Sequence, residues 1–396
     1  MGKNPTLKLL VSNDNGNSEH SLYINNELVR QPNVLARPNE GGFIADVPAE
    51  SLVPNLLNNI DVTTLSPSVR FNRRYYIGHQ AINSKYRPSS MNVSLDKKFK
   101  HDLPIINTIG VLAAKAVMNH FNKTKIIPAE LNVSVDMLTA LPIEQWNPEN
   151  AKIFKDRFSE KPHTVTVHIN GTDSTVKLNF DMVKVAPEGT PALFSIVYDM
   201  NGEYNKGKMF EQFKEDYGKE ITGEYLLGKR ILHVDIGDGT CDTPVTDGFN
   251  LDRRHVSGCN NGVGHAITEA MSVFLKDNPT LTKLSRQKYS EYLKDTTHQY
   301  HEDAVACFND AMLTQAEFIF EHFRNVISYF DNEVDVIAVY GGGSILMREI
   351  LYPLLKEVAD DLSKELLWLP EEVAPLMNVN GLQVILNKQT KKEVKA

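Results

Sequence analysis

At 396 residues the chain is long for one hydrophobic core and predicts two domain-sized units. A formal net charge of −8 and a pI near 5.9 exclude a protein that coats nucleic acid with a basic face of its own. Cys241, Cys259 and Cys307 form no CxxC pair, which excludes a zinc ribbon and suits a reducing compartment.

The first residues, MGKNPT, meet a loose myristoylation pattern. Leu7, Leu9 and Val11 then recur at every second position, so the segment reads as the lead-in to a buried strand. No run approaches the roughly 20 apolar residues of a membrane-spanning helix. After this strand come the turn NDNGNSEH, a strand SLYI, and a turn and third strand NNELVR. A Pro- and Asn-rich stretch to about residue 100 reads as a small inserted subdomain holding the short strand of SVRFNRRYYIGHQA.

Leu103 to Phe121 has apolar residues at helical spacing and predicts a buried helix. Leu131 to Leu141 is a strand ending at Pro142, ENAKIFKDRF a helix, and HTVTVHINGTDSTVKLNF a hairpin turning at Asn170-Gly171. At Arg230 the opening design returns: strand RILHVDI, turn GDGT, strand CDTPV, turn TDG, strand FNLDRR. The helix GVGHAITEAMSVFLK follows, then a long amphipathic helix marked by Phe308, Met312, Ala316, Ile319, Phe323, Val326 and Phe330. Asp335 to Tyr340 is a buried strand, GGGS a tight turn, and ILMREILYPLLKEVADDL a helix; NVNGLQVILNK reads as a closing strand before a loose basic tail.

Superposing the two meanders pairs Asp14 with Asp235, Gly16 with Gly237, Asn17 with Asp238 and Ser18 with Gly239. A triphosphate with magnesium needs backbone N–H groups near phosphate oxygens and one or two carboxylates for the ion. Turns rich in Gly, Ser and Thr supply the first, and Asp14 and Asp235, each at the end of an apolar strand, the second. DG and NG are the commonest hairpin pairs, so either turn alone is explained as a plain hairpin. Their repetition on one plan is what argues for a site.

The run VYGGGSILM, with three glycines between a buried strand and a helix, lets backbone approach a ligand, though tight strand-to-helix packing explains such a loop as well. It is neither a Walker loop nor a GxGxxG dinucleotide turn. Glu144 or Gln145, just past the strand that ends in TALPIEQW, is the candidate for orienting an attacking water; an exposed turn residue is the plain alternative. His298 and His301 with Glu302 and Asp303 share a helical turn, a spacing that does not secure a metal.

The ordered set DNGNS, LPIEQW, DIGDGT and GGGS resembles the phosphate-1, connecting, phosphate-2 and adenosine elements of the actin-like ATPases, over Leu7 to about Leu386. Within them the chain is most similar to bacterial plasmid-segregation actins of the ParM type, through RRYYIGHQA before DKKFKHDLPIINTIG, ALPIEQW, INGTDSTVKLNF before VAPEG, and NVNGLQVI. The resemblance implies an α/β actin-like fold of two related domains, each a mixed sheet flanked by helices, with a nucleotide cleft between them. The expected boundaries are 1–228 for domain I with an insert at about 31–100, 229–375 for domain II, and 376–396 for a strand returning to domain I plus the tail.

The resemblance further implies a bacterial cytoplasmic ATPase that polymerises with ATP or GTP and Mg2+, and segregates plasmid DNA through a ParR-like DNA-binding adaptor on a centromere. It implies no direct contact with nucleic acid or membrane. Asp14 and Asp235 would hold the magnesium; Asn15, Gly16, Asn17, Ser18, Gly237, Asp238, Gly239 and Thr240 would cradle the phosphates. Glu144 would orient the hydrolytic water, with Gln145 as substitute, and Gly341, Gly342, Gly343 and Ser344 would line the nucleoside. The alternatives are a sugar- or acetate-type kinase of the same fold and an actin-like scaffold that binds nucleotide without turnover.

Overall fold

The computed structural model describes residues 6–39, 46–92, 95–254, 258–282 and 284–395; the amino-terminal MGKNP, with most of the myristoylation pattern, lies outside them. The chain divides into two compact units, Met1–Pro187 with Ile385–Ala396, and Glu188–Val384.

In the first unit a sheet of nine strands, among the described residues, is built on β1 (Leu7–Asn15), β2 (Glu19–Ile24), β3 (Glu27–Pro32), β4 (Leu35–Ala36), β5 (Asp61–Leu65), β6 (Arg74–Ile77), β7 (Glu130–Leu141), β8 (His163–Ile169) and β9 (Thr172–Pro187). Their order is β3-β2-β1-β7-β9-β8-β5-β6-β4. The meander β1–β3 is antiparallel, whereas β1 and β7 run parallel from Leu7 opposite Val133 to Asn13 opposite Thr139. The helix Asp102–Thr124 covers the core. His101 caps it by accepting from the Leu103 N–H at 3.1 Å, and Lys125 ends it at φ 61°. Its residues from Leu103 to Val117 are all buried, which accounts for the long apolar run.

The expected insert at 31–100 is not a separate subdomain. Strands β4, β5 and β6 extend the same sheet, and Val53, Leu56, Ile60, Val62, Tyr75 and Ile77 pack in one cluster with Leu9 and Val11. Proline and asparagine connections disguise short buried strands as surface chain.

In the second unit β10 (Arg230–Ile236) has β11 (Cys241–Asp242) and β12 (Val245–Asp247) antiparallel on one side, extended by β13 (Asn250–Leu251) and β14 (Gly258–Cys259). On its other side β15 (Val336–Tyr340) and β16 (Glu365–Trp368) run parallel to it. The helices Val263–Asp277, His301–Tyr329 and Arg348–Asp361 bury Ala266, Phe274, Phe323 and Leu355 in one core cluster with Val234 and Val339. A second cluster joins Leu193, Ile196, Phe210, Phe213 and Leu226 to Ile231, Val336 and Ala338. That packing places the division after Pro187 and not at the expected 228, because the cover of this sheet precedes its first strand in sequence.

The closing strand expected in NVNGLQVILNK is instead a helix, Met377–Lys395. Val379, Leu382 and Leu386, buried at 0–2% exposure, follow helical spacing. Gly381, which lay within that expected strand, has a packing role: a Cβ there would meet the Pro191 carbonyl oxygen at 1.7 Å. No helix among the described residues is long and apolar enough to cross a membrane.

Candidate functional site

The two glycine turns share one register. Asp14 pairs with Ser21 and Asn15 with His20; Asp235 pairs with Asp242 and Ile236 with Cys241. Each pair of strands therefore encloses a four-residue turn, 16–19 and 237–240. The leading glycine is tight in both. A Cβ on Gly16 would lie 2.9 Å from the Glu19 carbonyl oxygen, and one on Gly237 would lie 3.2 Å from that of Thr240. Among the described residues, the N–H groups of Gly16, Asn17 and Ser18 in one turn, and of Asp238, Gly239 and Thr240 in the other, donate to no protein acceptor. Clusters of such amides favour an anion.

The first turn rests on a buried polar seam. His20 Nε2 donates to Asn13 Oδ1 at 2.6 Å, and Asn13 Nδ2 donates to Thr108 and Thr139, both at 3.3 Å. Asn107 donates to Asn33 at 2.7 Å, and Asn33 donates to Asn15 Oδ1 at 2.8 Å and to the Gly16 carbonyl. Burial, reinforced by the neighbouring Lys98 cation, pushes the His20 pKa down to about 3 and keeps the ring neutral. Asn15 Nδ2 is buried without a partner directly behind the turn. An unpaired buried donor is costly and argues for a ligand acceptor.

At the end of β7 the chain turns through Pro142, whose carbonyl accepts from Gln145 N–H at 2.9 Å. Glu144 is exposed, with no hydrogen bond among the described residues. Gln145 is engaged: its Oε1 accepts from Lys98 N–H and its carbonyl from Asn150 Nδ2, each at 2.8 Å. The two candidates thus differ, Glu144 available and Gln145 committed to holding the Lys98 loop.

In the second unit Asp235 is 8% exposed, and its Oδ2 accepts from Asn378 Nδ2 at 2.7 Å. Asn378 in turn accepts from Gly189 N–H at 3.0 Å. Asp242, opposite Asp235, is 3% exposed and accepts from Thr240 Oγ1 at 3.1 Å. Burial and the nearby Asp235 and Asp242 carboxylates push the Tyr340 phenol pKa up, so it stays protonated. The Asp238 side chain forms an ion pair at 2.6 Å with Arg286.

The carbonyls of this turn face the helix Val263–Asp277. Val263 N–H donates to Gly237 O at 3.2 Å, Gly264 N–H to Asp238 O at 2.6 Å, and His265 Nε2 to Gly239 O at 3.1 Å. This fixes the turn from behind while its three amides stay unengaged.

The glycine run after β15 packs on the same turn. Gly341 has φ +91°, and a Cβ on it would lie 2.4 Å from Ile236 O and 2.6 Å from Asp235 Oδ1. A Cβ on Gly343 would meet the Ile236 side chain at 2.6 Å, whereas Gly342 faces open space. Ser344 is fully buried and donates to the Gly341 carbonyl at 2.8 Å. Gly341 and Gly343 are thus packed closely on the second turn, Ser344 is buried behind them, and Gly342 has open space around it.

Sequence reasoning missed Asn378, Asn33, Asn107, Lys98 and Arg286, whose partners lie well away along the chain, and Asp242, which the register sets opposite Asp235. Cys241 and Cys259, which form no CxxC pair in the sequence, are register partners on β11 and β14. The two histidines whose spacing does not secure a metal are engaged elsewhere: His298 Nδ1 accepts from Tyr300 N–H at 3.2 Å and His301 Nδ1 bonds the Tyr292 carbonyl at 2.9 Å. No group of three metal-ligating side chains occurs among the described residues.

No protein-family model and no curated protein matches the sequence. Solved structures do. The actin-like protein Alp7A superposes with a TM-score of 0.71 at 16% identity, covering 98% of this chain and 99% of that one. Bacillus thuringiensis ParM with ATP gives 0.59 at 17% identity over 97% and 99%. Ta0583, an archaeal actin homologue, gives 0.58 at 14% identity over 96% and 99%. Two α/β units with matched meanders, and a likeness that spans nearly every residue, make this an actin-like fold of the ParM type.

Proposed function

We propose that the chain is a polymerising actin-like ATPase. Its phosphate-binding elements are Asn15–Ser18 in the first unit and Gly237–Thr240 in the second. The observation that carries this reading is the repeated register, which gives each unit a four-residue turn with three unengaged amides beside a strand-end aspartate. Bacillus thuringiensis ParM has been solved with ATP, ADP and AMPPNP, and a pCBH ParM variant is described as a non-polymerisable mutant. Nucleotide binding and filament assembly come to this chain from that likeness.

Asp14 and Asp235 would hold magnesium. Asp235 fits the role, with Asn378 fixing one carboxylate oxygen and a glycine-lined turn beside it. When bound, the ion would supply positive charge to offset that of the phosphates. Glu144 orients the attacking water, Gly342 borders the nucleoside, and hydrolysis proceeds by positioning and electrostatics alone. Head-to-tail association is a contact that does not close on itself and yields filaments. Such filaments move plasmid DNA in the bacterial cytoplasm through a ParR-like DNA-binding adaptor, with ATP or GTP as fuel.

The test is to mix the purified chain with magnesium and ATP or GTP, then follow light scattering, pelleting and phosphate release. Nucleotide-dependent pelleting with phosphate release supports the reading. Release only when a sugar or acetate is added identifies a kinase, binding without release identifies a scaffold, and either outcome overturns it.

A further inference from the structure

Asn33, directly after β3, is a fully buried asparagine that belongs to none of the glycine motifs, yet it holds the first turn at three points. Its backbone N–H donates to the Ser18 carbonyl at 2.8 Å. Its Nδ2 donates to the Gly16 carbonyl and, at 2.8 Å, to Asn15 Oδ1. A carbonyl oxygen only accepts, so the Gly16 contact fixes which end of the Asn33 amide faces the turn. Both Nδ2 hydrogens are then engaged, and on the other side Asn33 Oδ1 accepts from Asn107 Nδ2 at 2.7 Å. Asn107, on the helix Asp102–Thr124, takes this orientation although its own Oδ1 is left buried with no partner among the described residues. The direction of the whole chain of amides is therefore set from the turn.

The consequence falls on Asn15, which is 1% exposed. With its Oδ1 held by Asn33, its Nδ2 is the end left over, and that donor meets no acceptor among the described residues. A buried donor of this kind calls for an acceptor from outside the chain. The unengaged N–H groups of Gly16, Asn17 and Ser18 belong to the same turn.

We infer that Asn33 is a positioning residue: by holding Asn15 Oδ1 it makes Asn15 offer a donor, and not an acceptor, to a phosphate oxygen of bound nucleotide. The inference rests on the nucleotide reading above and adds to it a residue that acts only through Asn15 and the turn. Were the Asn15 amide reversed, its oxygen would face the phosphate and repel it, so the orientation of one amide decides the sign of the interaction. In the second unit the helix Val263–Asp277 secures the turn carbonyls. In the first, Asn33 secures those of Gly16 and Ser18 and also orients a side-chain donor.

The experiment uses the full-length chain with magnesium and measures affinity for a non-hydrolysable ATP analogue in a double-mutant cycle, with a nucleotide-free thermal melt of each variant. Asn15→Ala is expected to weaken the analogue roughly tenfold or more, the scale of one hydrogen bond to a charged group. Asn15→Asp, equal in size but with oxygen in place of the nitrogen, is expected to weaken it further. Asn33→Ala is expected to weaken it roughly tenfold with Asn15 in place, and by less than about threefold when Asn15 is already alanine. Equal losses in the two backgrounds, or no loss in either, overturn the inference and make Asn33 a structural support; Asn15→Asp binding at wild-type affinity overturns it as well. If Asn33→Ala melts below the assay temperature, Asn33→Ser, with one donor hydrogen where asparagine has two, carries the same cycle. Wild-type chain that binds no analogue overturns the nucleotide reading itself, an outcome separate from any variant.

Discussion

Asp235 faces Asp242 across the β10–β11 pair, at the same register step that sets Asp14 opposite Ser21. Residues directly opposite in antiparallel strands share a face of the sheet, so two buried carboxylates stand side by side below the second turn. Each has a neutral donor, Asn378 for Asp235 and Thr240 for Asp242. Such a pair favours a cation, which is the basis for expecting magnesium to depend on Asp235.

Asp235→Ala is accordingly expected to abolish nucleotide-dependent pelleting. Glu144→Ala should leave assembly intact while slowing phosphate release about 100-fold, the scale of losing one positioned acid–base group, and so leave long-lived polymer. Pelleting and a phosphate-release assay on both variants check this, and wild-type hydrolysis in both would sink the site assignment.

Asp238 is expected to behave differently from its neighbours. Its carboxylate is committed to Arg286, and its N–H donates to no acceptor among the described residues. Asp238→Ala should keep nucleotide affinity within about threefold and cost about 1 kcal/mol of stability, a modest value because Arg286 retains 30% exposure. Titration calorimetry and urea unfolding separate the two effects.

Acid should destabilise both units through buried histidines. His20 and His233 are each driven by burial to a pKa of about 3, below the value of about 6.5 they take when unfolded. Folding therefore holds them neutral, and stability is lost as pH falls from about 6.5 towards 3. Each contributes about 2 kcal/mol of loss at pH 5 relative to pH 8. Urea midpoints across that range check this, and His20→Gln should flatten the slope while wild type keeps it. Asp252, held at about 2 by Arg254, adds its loss only below pH 4.

Gly341 should tolerate no side chain. Its φ of +91° is glycine territory, and a Cβ would press on Ile236 O and Asp235 Oδ1. Gly341→Ala is expected to cost about 2–4 kcal/mol and to displace Asp235. Gly342→Ala, with open space around it, should leave stability within about 0.5 kcal/mol. Thermal melts of the pair give the contrast.

Much of the candidate site was legible because its signals are local. A strand-end aspartate followed by glycine turns on a repeated meander is visible in adjacent residues, and the structure gives those turns a shared register. The strands β1, β7, β10 and β15 were equally plain from their apolar runs. What escaped was set by distance or disguise. Asn378 reaches Asp235 from 143 residues away, and nothing near either residue announces the pair. The final helix hid behind an Asn-Gly dipeptide whose glycine serves packing, and the strands within 31–100 hid behind proline-rich connections. The division between units misled because Leu193, Phe210 and Phe213 cover a sheet whose first strand begins at Arg230.

The Asn378 hydrogen bond also bears on the order in which a growing chain acquires its parts. Domains generally fold as they leave the ribosome, amino-terminal first, at about 5–20 residues per second. The first turn has its sheet partner once β7 is made, but Asp235 must wait for residue 378, some 143 positions later, or roughly 7–29 s of synthesis. Throughout that interval Asp235 has yet to gain its hydrogen bond from Asn378. A nascent chain is thus expected to bind nucleotide weakly until residue 378 has been made. Ribosome-stalled chains cut short before and after Asn378, probed with a fluorescent nucleotide, would show the change.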